Sequence, residues 1–213
     1  MSKKHKAILA TLIIMFVITV DQIVKVAVKT NMYLGEHIDV TSWFKIRFVE
    51  NNGMAFGMEL FGKYFLTSFR LIACIGMGWY LKTLIKKNVS TAFICSIALI
   101  MAGALGNVID CLFYGLVFNN PPYPMTAQFV DWGSGYGDFM LGRVVDMFYF
   151  PLVEWDMPAD WTWMNSIRFL PDAGEHCVFF SAIFNVADAA VCSSIAWLLI
   201  LMSRQQKKEH HKQ

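Results

Sequence analysis

At 213 residues, 56% hydrophobic and only 16% charged, the chain is too apolar for an ordinary soluble domain, in which about 45–50% of residues are apolar and about 25% charged. A mean hydropathy of +0.47 points to an integral membrane protein. The five cysteines form no C-x-x-C pair, so neither a zinc site nor a disulfide framework is indicated, and the net charge of +2 is informative only through its distribution.

Lys3, Lys4 and Lys6 precede an unbroken apolar run from Ala7 to Val20, the layout of a secretory signal peptide. No small-x-small cleavage site follows, and the pattern continues through Asp21 and Lys25 to Val28. The segment is therefore expected to stay as a first transmembrane helix over 7–29. Asp21 and Lys25 have the i,i+4 spacing of an intrahelical ion pair. In Trp43-Phe44-Lys45-Ile46-Arg47-Phe48 apolar and basic residues alternate, a period of two that predicts a strand. Asn52-Gly53 is a turn signal, so 31–58 is read as a strand-and-turn region outside the bilayer core.

A second span, 64–86, is interrupted by Arg70 and closes on Lys82, Lys86 and Lys87. A turn at Asn88 leads to a third span, 91–113, whose Gly- and Ala-rich end lets a neighbouring helix approach closely. A long insertion, 114–176, carries Trp132, Trp155, Trp161 and Trp163. Amphipathic rings favour the headgroup zone, which places the insertion on the membrane surface. A fourth span, 179–203, precedes a basic tail. No internal repeat is present, which disfavours a transporter built from inverted halves. The expected fold is one α-helical integral membrane domain over 1–213, with four transmembrane helices, a small extracytoplasmic β region, and the aromatic-rich insertion between helices 3 and 4.

Charge sets the orientation. The N-terminus, the turn after the second span and the C-terminal tail hold ten Lys/Arg and one acid; everything else holds eight Lys/Arg and fifteen acids. By the positive-inside rule both termini are cytoplasmic, and the strand region and insertion face outward. Asp21, Asp110 and Asp188 then fall toward the outer ends of their helices.

The polar residues of these apolar runs are the candidates for function. Asn185 and Asp188 are three apart within an apolar run from Phe179 to Met202, and on a helix would share a face. Asn107 and Asp110 repeat that spacing, and Asp146 follows in Gly142-Arg143-Val144-Val145-Asp146. A carboxylate in a membrane segment is costly and faces protein interior or water. Two carboxylates close together do not both ionise cheaply, so one keeps a proton while the other is charged. That is the division of labour of an aspartic protease. From spacing alone three readings fit: an outward-facing membrane enzyme, a small proton- or cation-coupled transporter, and a non-enzymatic assembly factor using the aromatic insertion as a docking surface. Convergence at one interface favours interfacial chemistry over transport. No H-E-x-x-H and no Gly-x-Ser-x-Gly is present, so no metal or other cofactor is expected.

The residues also resemble a family. Asp21-x-x-x-Lys25, Asn51-Asn52-Gly53-Met54-Ala55-Phe56, Gly103-Ala104-Leu105-Gly106-Asn107-x-x-Asp110, Val144-Val145-Asp146 and Phe184-Asn185-x-Ala187-Asp188, in this order on four spans, look like lipoprotein signal peptidase, also called signal peptidase II. The resemblance implies a bacterial inner-membrane aspartyl endopeptidase with its site toward the periplasmic face. Such an enzyme removes the signal peptide from prolipoproteins, cutting before a diacylglyceryl-modified cysteine. It implies Asp146 and Asp188 as catalytic aspartates, with Asp21, Lys25, Asn51, Asn107, Asp110, Asn185 and Ala187 as supporting or substrate-binding residues. Its implied partners are the lipid-modified precursor, membrane lipids and the inhibitor globomycin, with no nucleic acid. Two departures stand out. The family usually has Arg after the Asp of Asn-x-x-Asp, whereas Cys111 follows Asp110, leaving Arg70 or Arg143 to supply the positive charge. The insertion also exceeds the family minimum.

Overall fold

The computed structural model describes residues 1–53, 60–166 and 171–210. Met54, Ala55 and Phe56 of the family-like motif lie outside the described residues. The helices are α1 (Lys3–Asn31), α2 (Leu60–Lys86), α3 (Thr91–Ile109), a π-helical turn over Asp110–Tyr114, α4 (Gly115–Val117) and α5 (Val186–His210). Among the described residues four stretches are long and apolar enough to cross a membrane: Lys3–Asn31, Gly62–Lys86, Thr91–Val117 and Val186–Arg204. At about 1.5 Å per residue each reaches or approaches the roughly 30 Å hydrocarbon thickness.

The helix ends are set by local chemistry. Ser2 caps α1 by accepting from the His5 amide at 3.3 Å. Asn88 turns the chain between α2 and α3 with a φ of +54°, a conformation Asn tolerates better than most residues. Lys6 is buried against that turn, donating to Asn88 Oδ1 at 2.8 Å and to the Val89 carbonyl at 2.6 Å. Around α3, which touches α1, α2 and α5, the glycines allow close approach. A Cβ on Gly103 would collide with the Ala187 carbonyl oxygen, and one on Gly106 would sit 2.7 Å from Asp21 Oδ2. The Gly- and Ala-rich end of the third span is thus the seam along which α1 and α5 meet α3.

Strands β1 (His37–Asp39), β2 (Lys45–Asn51), β3 (Val144–Tyr149) and β6 (Ile183–Phe184) form one antiparallel sheet in the order β1-β2-β3-β6, and β4 (Val153–Asp156) pairs with β5 (His176–Phe179) in a separate arm. Asn51 pairs with Val144 and Val49 with Asp146, with a register shift between Ile46 and Val49. One face of the sheet packs on the end of α1 and the π turn, burying Val28, Met32, Phe48, Tyr114, Phe118, Val145 and Met147. Burial of a large apolar side chain stabilises by roughly 1.5–3 kcal/mol, so this cluster anchors the sheet to the helix bundle.

The structure differs from the sequence reading in two places. The last helix starts at Val186, because His176–Phe179 and Ile183–Phe184, inside or beside the apolar run from Phe179, are strands: Phe184 pairs with Phe148 and Val153 with Phe179. A short apolar run does not separate strand from helix by periodicity alone. The insertion is also regular in part. Its Val144–Tyr149 is the central partner of the 45–51 strand, whereas the β4–β5 arm leaves Trp155, Trp161, Trp163 and Phe179 exposed.

Candidate active site

The site grows from Lys25, a fully buried lysine on α1. Its ammonium has three N–H groups and meets three acceptors: Asp21 Oδ2 at 2.9 Å, Asp110 Oδ2 at 2.8 Å and Asn107 Oδ1 at 2.8 Å. Such a buried charge is tolerated only when paired and hydrogen-bonded on all sides. Gln22 completes the cluster, donating to Asp110 Oδ1 at 2.8 Å and accepting from the Tyr114 hydroxyl at 3.1 Å. The two carboxylates also tie distant segments together. Asp21 Oδ1 accepts from the Ala187 amide at 2.9 Å, and Asp110 Oδ2 from the Val145 amide at 3.3 Å. Both carboxylates therefore fix the backbone beside Asp188 and Asp146. The π turn beginning at Asp110 is the sort of helix irregularity that re-aims side chains at functional sites.

Lys25 also orients the amides. A lysine only donates, so the Asn107 oxygen faces it and the Asn107 NH₂ faces Asp188 Oδ1, at 2.8 Å. Asn185 caps α5: its Oδ1 accepts from the Asp188 amide at 3.0 Å while Asp188 Oδ2 accepts from the Asn185 amide at 3.3 Å, a reciprocal capping box. The Asn185 NH₂ is then free to reach Asp146 Oδ1 at 2.6 Å and Asn107 Oδ1 at 3.1 Å. Asn185 and Asp188 are thus cap and first-turn residue, not two residues on one helical face as their spacing suggested. The other oxygen of Asp146 accepts from Asn51 Nδ2 at 3.2 Å. Two aspartates from different elements are joined through the amides of Asn107 and Asn185.

Their environments differ. Asp188 lies in the first turn of α5, where the helix dipole favours negative charge. Asp146, on β3, is 4% exposed. Burial first, and the neighbouring charge of Asp188 second, push its carboxyl up to about 6, against the hydrogen bonds from Asn51 and Asn185. The arrangement can hold one proton on the pair and place a charged and a neutral carboxyl on either side of a reacting carbonyl.

Asp21, Lys25, Asn51, Asn107, Asp110, Asn185, Ala187, Asp146 and Asp188 come together in this network. Arg143 does not join it: its Nη1 bonds Glu50 Oε2 at 2.8 Å and its guanidinium lies 4.8 Å from the centre of the Tyr136 ring. Glu50, adjacent to Asn51, points to the opposite side of β2 and also pairs with buried Lys29. Burial pushes the Glu50 carboxyl up, but Lys29 and Arg143 outweigh it and hold it below the usual range. Arg70 is the arginine that reaches Cys111, with Nη1 3.3 Å from Sγ. Gln22, Lys29 and Glu50 escaped the sequence reading; the signal for the first two was their polarity on the end of α1 that carries Asp21 and Lys25.

The family model described as signal peptidase (SPase) II matches residues 13–204. The lipoprotein signal peptidase of Porphyromonas gingivalis is 44% identical over 196 residues, covering 92% of this chain and 81% of that protein. That of Amoebophilus asiaticus is 31% identical over 197 residues, covering 88% and 75%. A solved structure described as a bacterial membrane enzyme, determined by the in meso method at 2.3 Å resolution, is similar with a TM-score of 0.58 and 20% identity over 93% of this chain and 90% of that one. A second such structure, at 1.9 Å resolution, gives 0.58 and 21% over 91% of each chain. These two likenesses show the fold.

Proposed function

The chain belongs to the signal peptidase II family, a family of aspartic peptidases, and we propose that Asp146 and Asp188 are its catalytic pair. The observation that carries this reading is the amide bridge, in which Asn107 and Asn185 hold one oxygen of each aspartate and leave the pair asymmetric. In the monoprotonated form that reacts, the proton sits on Asp146, the carboxyl raised by burial and by its neighbour. Asp188, as carboxylate, takes a proton from water while the water oxygen attacks the peptide carbonyl carbon. Asp146 gives its proton to the carbonyl oxygen, and a neutral diol forms. On collapse the C–N bond breaks, Asp188 returns its proton to the leaving amine, and Asp146 recovers one from the diol hydroxyl. The pair ends as it began.

The substrate is a prolipoprotein whose cysteine carries a diacylglyceryl group, cut on the N-terminal side of that cysteine. Both termini are cytoplasmic and the dyad faces outward, as the excess of Lys/Arg at the termini and the α2–α3 turn supports. The exposed rings of the β4–β5 arm, Trp155 and Phe179 among them, engage the membrane surface and close over the anchored precursor.

The test uses purified Asp188→Asn and Asp146→Asn in detergent with a diacylglyceryl-modified precursor peptide. Each substitution nearly keeps the shape and removes proton cycling, so cleavage falls by at least about 10²–10⁴-fold while the variants remain folded. Near-normal cleavage by either variant removes that residue from the mechanism.

A further inference from the structure

Lys63, Thr67 and Arg70 lie at i, i+4 and i+7 on α2 and make one polar stripe. Lys63 Nζ donates to Asn52 Oδ1 at 3.2 Å and Thr67 Oγ1 to the Met140 carbonyl at 3.1 Å, so two of the three hold α2 against the rim of the site. Arg70 differs. Eight residues into the Gly62–Lys86 span, it sits about 12 Å along the helix from the outer end. It is the only charged residue of α2 between Lys63 and Lys82. An ionisable residue at such a position marks a functional site more often than a structural one.

The described residues around it do not use its charge. Nη1 donates to Cys111 Sγ at 3.3 Å, and a thiol is a weak acceptor. Among the described residues Arg70 forms no ion pair. Nη2 lies against Gly53, where an added Cβ would come to 2.9 Å. Among the described residues the contact with Cys111 is the hydrogen bond that the Arg70 side chain makes, which leaves Nε and Nη2 as donors without a described partner. They are also close to the chemistry. The Gly53 amide donates to Asn51 Oδ1 at 2.7 Å, and Asn51 holds Asp146; Cys111 follows Asp110, which grips Lys25.

We infer that Arg70 is a substrate-binding residue whose guanidinium holds a carbonyl oxygen of the lipid-modified precursor beside the aspartate pair. This rests on the reading of that pair as catalytic. Several directed donors suit carbonyl oxygens, and the precursor offers them from two sources: the peptide backbone next to the scissile bond and the glyceryl esters.

The experiment measures binding apart from turnover. A fluorescent diacylglyceryl-cysteine peptide is titrated into Asp188→Asn and into Asp188→Asn/Arg70→Leu, both in detergent. Loss of a charge-assisted hydrogen bond weakens binding by about 10- to 100-fold. In the active enzyme Arg70→Leu raises KM, and adding Cys111→Arg, whose guanidinium starts from the atom Arg70 now touches, restores it. An ether-linked dialkylglyceryl peptide separates the sources: if Arg70→Leu no longer matters with it, the ester carbonyls are held, and if it still matters, the backbone is. Should Arg70→Leu fail to insert, Arg70→Gln is read in the same titration. Equal affinity with and without Arg70, or no recovery from Cys111→Arg, overturns the inference while leaving the dyad intact. A wild-type enzyme that neither binds nor cleaves the precursor overturns the dyad reading itself.

Discussion

Asp146→Asn should remove activity and stabilise the fold, in a manner that depends on pH. Burial and Asp188 raise the folded-state carboxyl from 3.8 to about 6. A raised carboxyl contributes stability that is whole below its unfolded value and is lost as pH rises through its folded value. At neutral pH the wild type therefore carries the cost of charging Asp146, which the neutral amide of the variant never meets. Moving a carboxyl that far is worth about 3 kcal/mol. Asn185 and Asn51, which donate to the two oxygens, limit the gain. The new amide can accept only from one of them, and the other must turn, leaving roughly 1–2 kcal/mol. For a chain of this size that is a rise of a few degrees in Tm. The assay is thermal unfolding of detergent-solubilised wild type and variant from about pH 4 to about pH 8, with the gap opening through the interval from 3.8 to about 6. A gap of the same size at every pH, or a variant less stable than wild type at about pH 8, would refute both the buried-proton assignment and the sign of the coupling.

Glu50→Gln leaves buried Lys29 without its carboxylate, so Tm at neutral pH should fall, by an amount equivalent to about 3–5 kcal/mol if the cation stays in place. Because the folded Glu50 carboxyl is held below its usual 4.5, its contribution is present above that value and lost as pH falls through the lower folded one, so the two melting curves should converge on acidification. Gly103→Ala puts a methyl into the Ala187 carbonyl; parting α3 from α5 there should lower kcat by more than it raises KM, which steady-state cleavage separates. Replacing the β4–β5 arm, Val153–Phe179, by a short turn should raise KM for a lipid-modified precursor in vesicles while leaving a slow turnover. Unchanged KM makes the arm a passive ledge.

The helices were legible because a bilayer imposes a length and a composition that few other structures satisfy, and Asn88 announced its turn. The seam of the bundle was legible in part, since Gly103 and Gly106 could only mean close approach by something. The start of α5 was not, because Phe179 and Phe184 are equally at home in a strand or a lipid-facing helix, and what decides is a partner, Phe148, far away in the sequence. The same limit applies to the polar residues. Asp21 and Lys25 show their pairing through their spacing, but Asp110 reaches Lys25 from another helix, and Glu50 looks like any strand carboxylate until Lys29 and Arg143 converge on it. Arg143 stood beside the Val-Val-Asp motif and was drawn into the site by proximity in sequence. Arg143 comes just before β3, and Glu50 and the Tyr136 ring hold its guanidinium away from the pair.

The asymmetry of the aspartates depends on a feature with no sequence signature at all, the direction of two amides. Asn107 turns its NH₂ to Asp188 because Lys25 occupies its oxygen, and Asn185 turns its NH₂ to Asp146 because the start of α5 occupies its own. Lys25, which need not touch substrate, thereby decides which donor Asp188 receives. Its replacement by an uncharged residue would release the Asn107 amide to flip and leave Asp21 and Asp110 buried without their shared cation. The proposed chemistry would then fail through orientation as well as through stability, with Asp146 and Asp188 both still present.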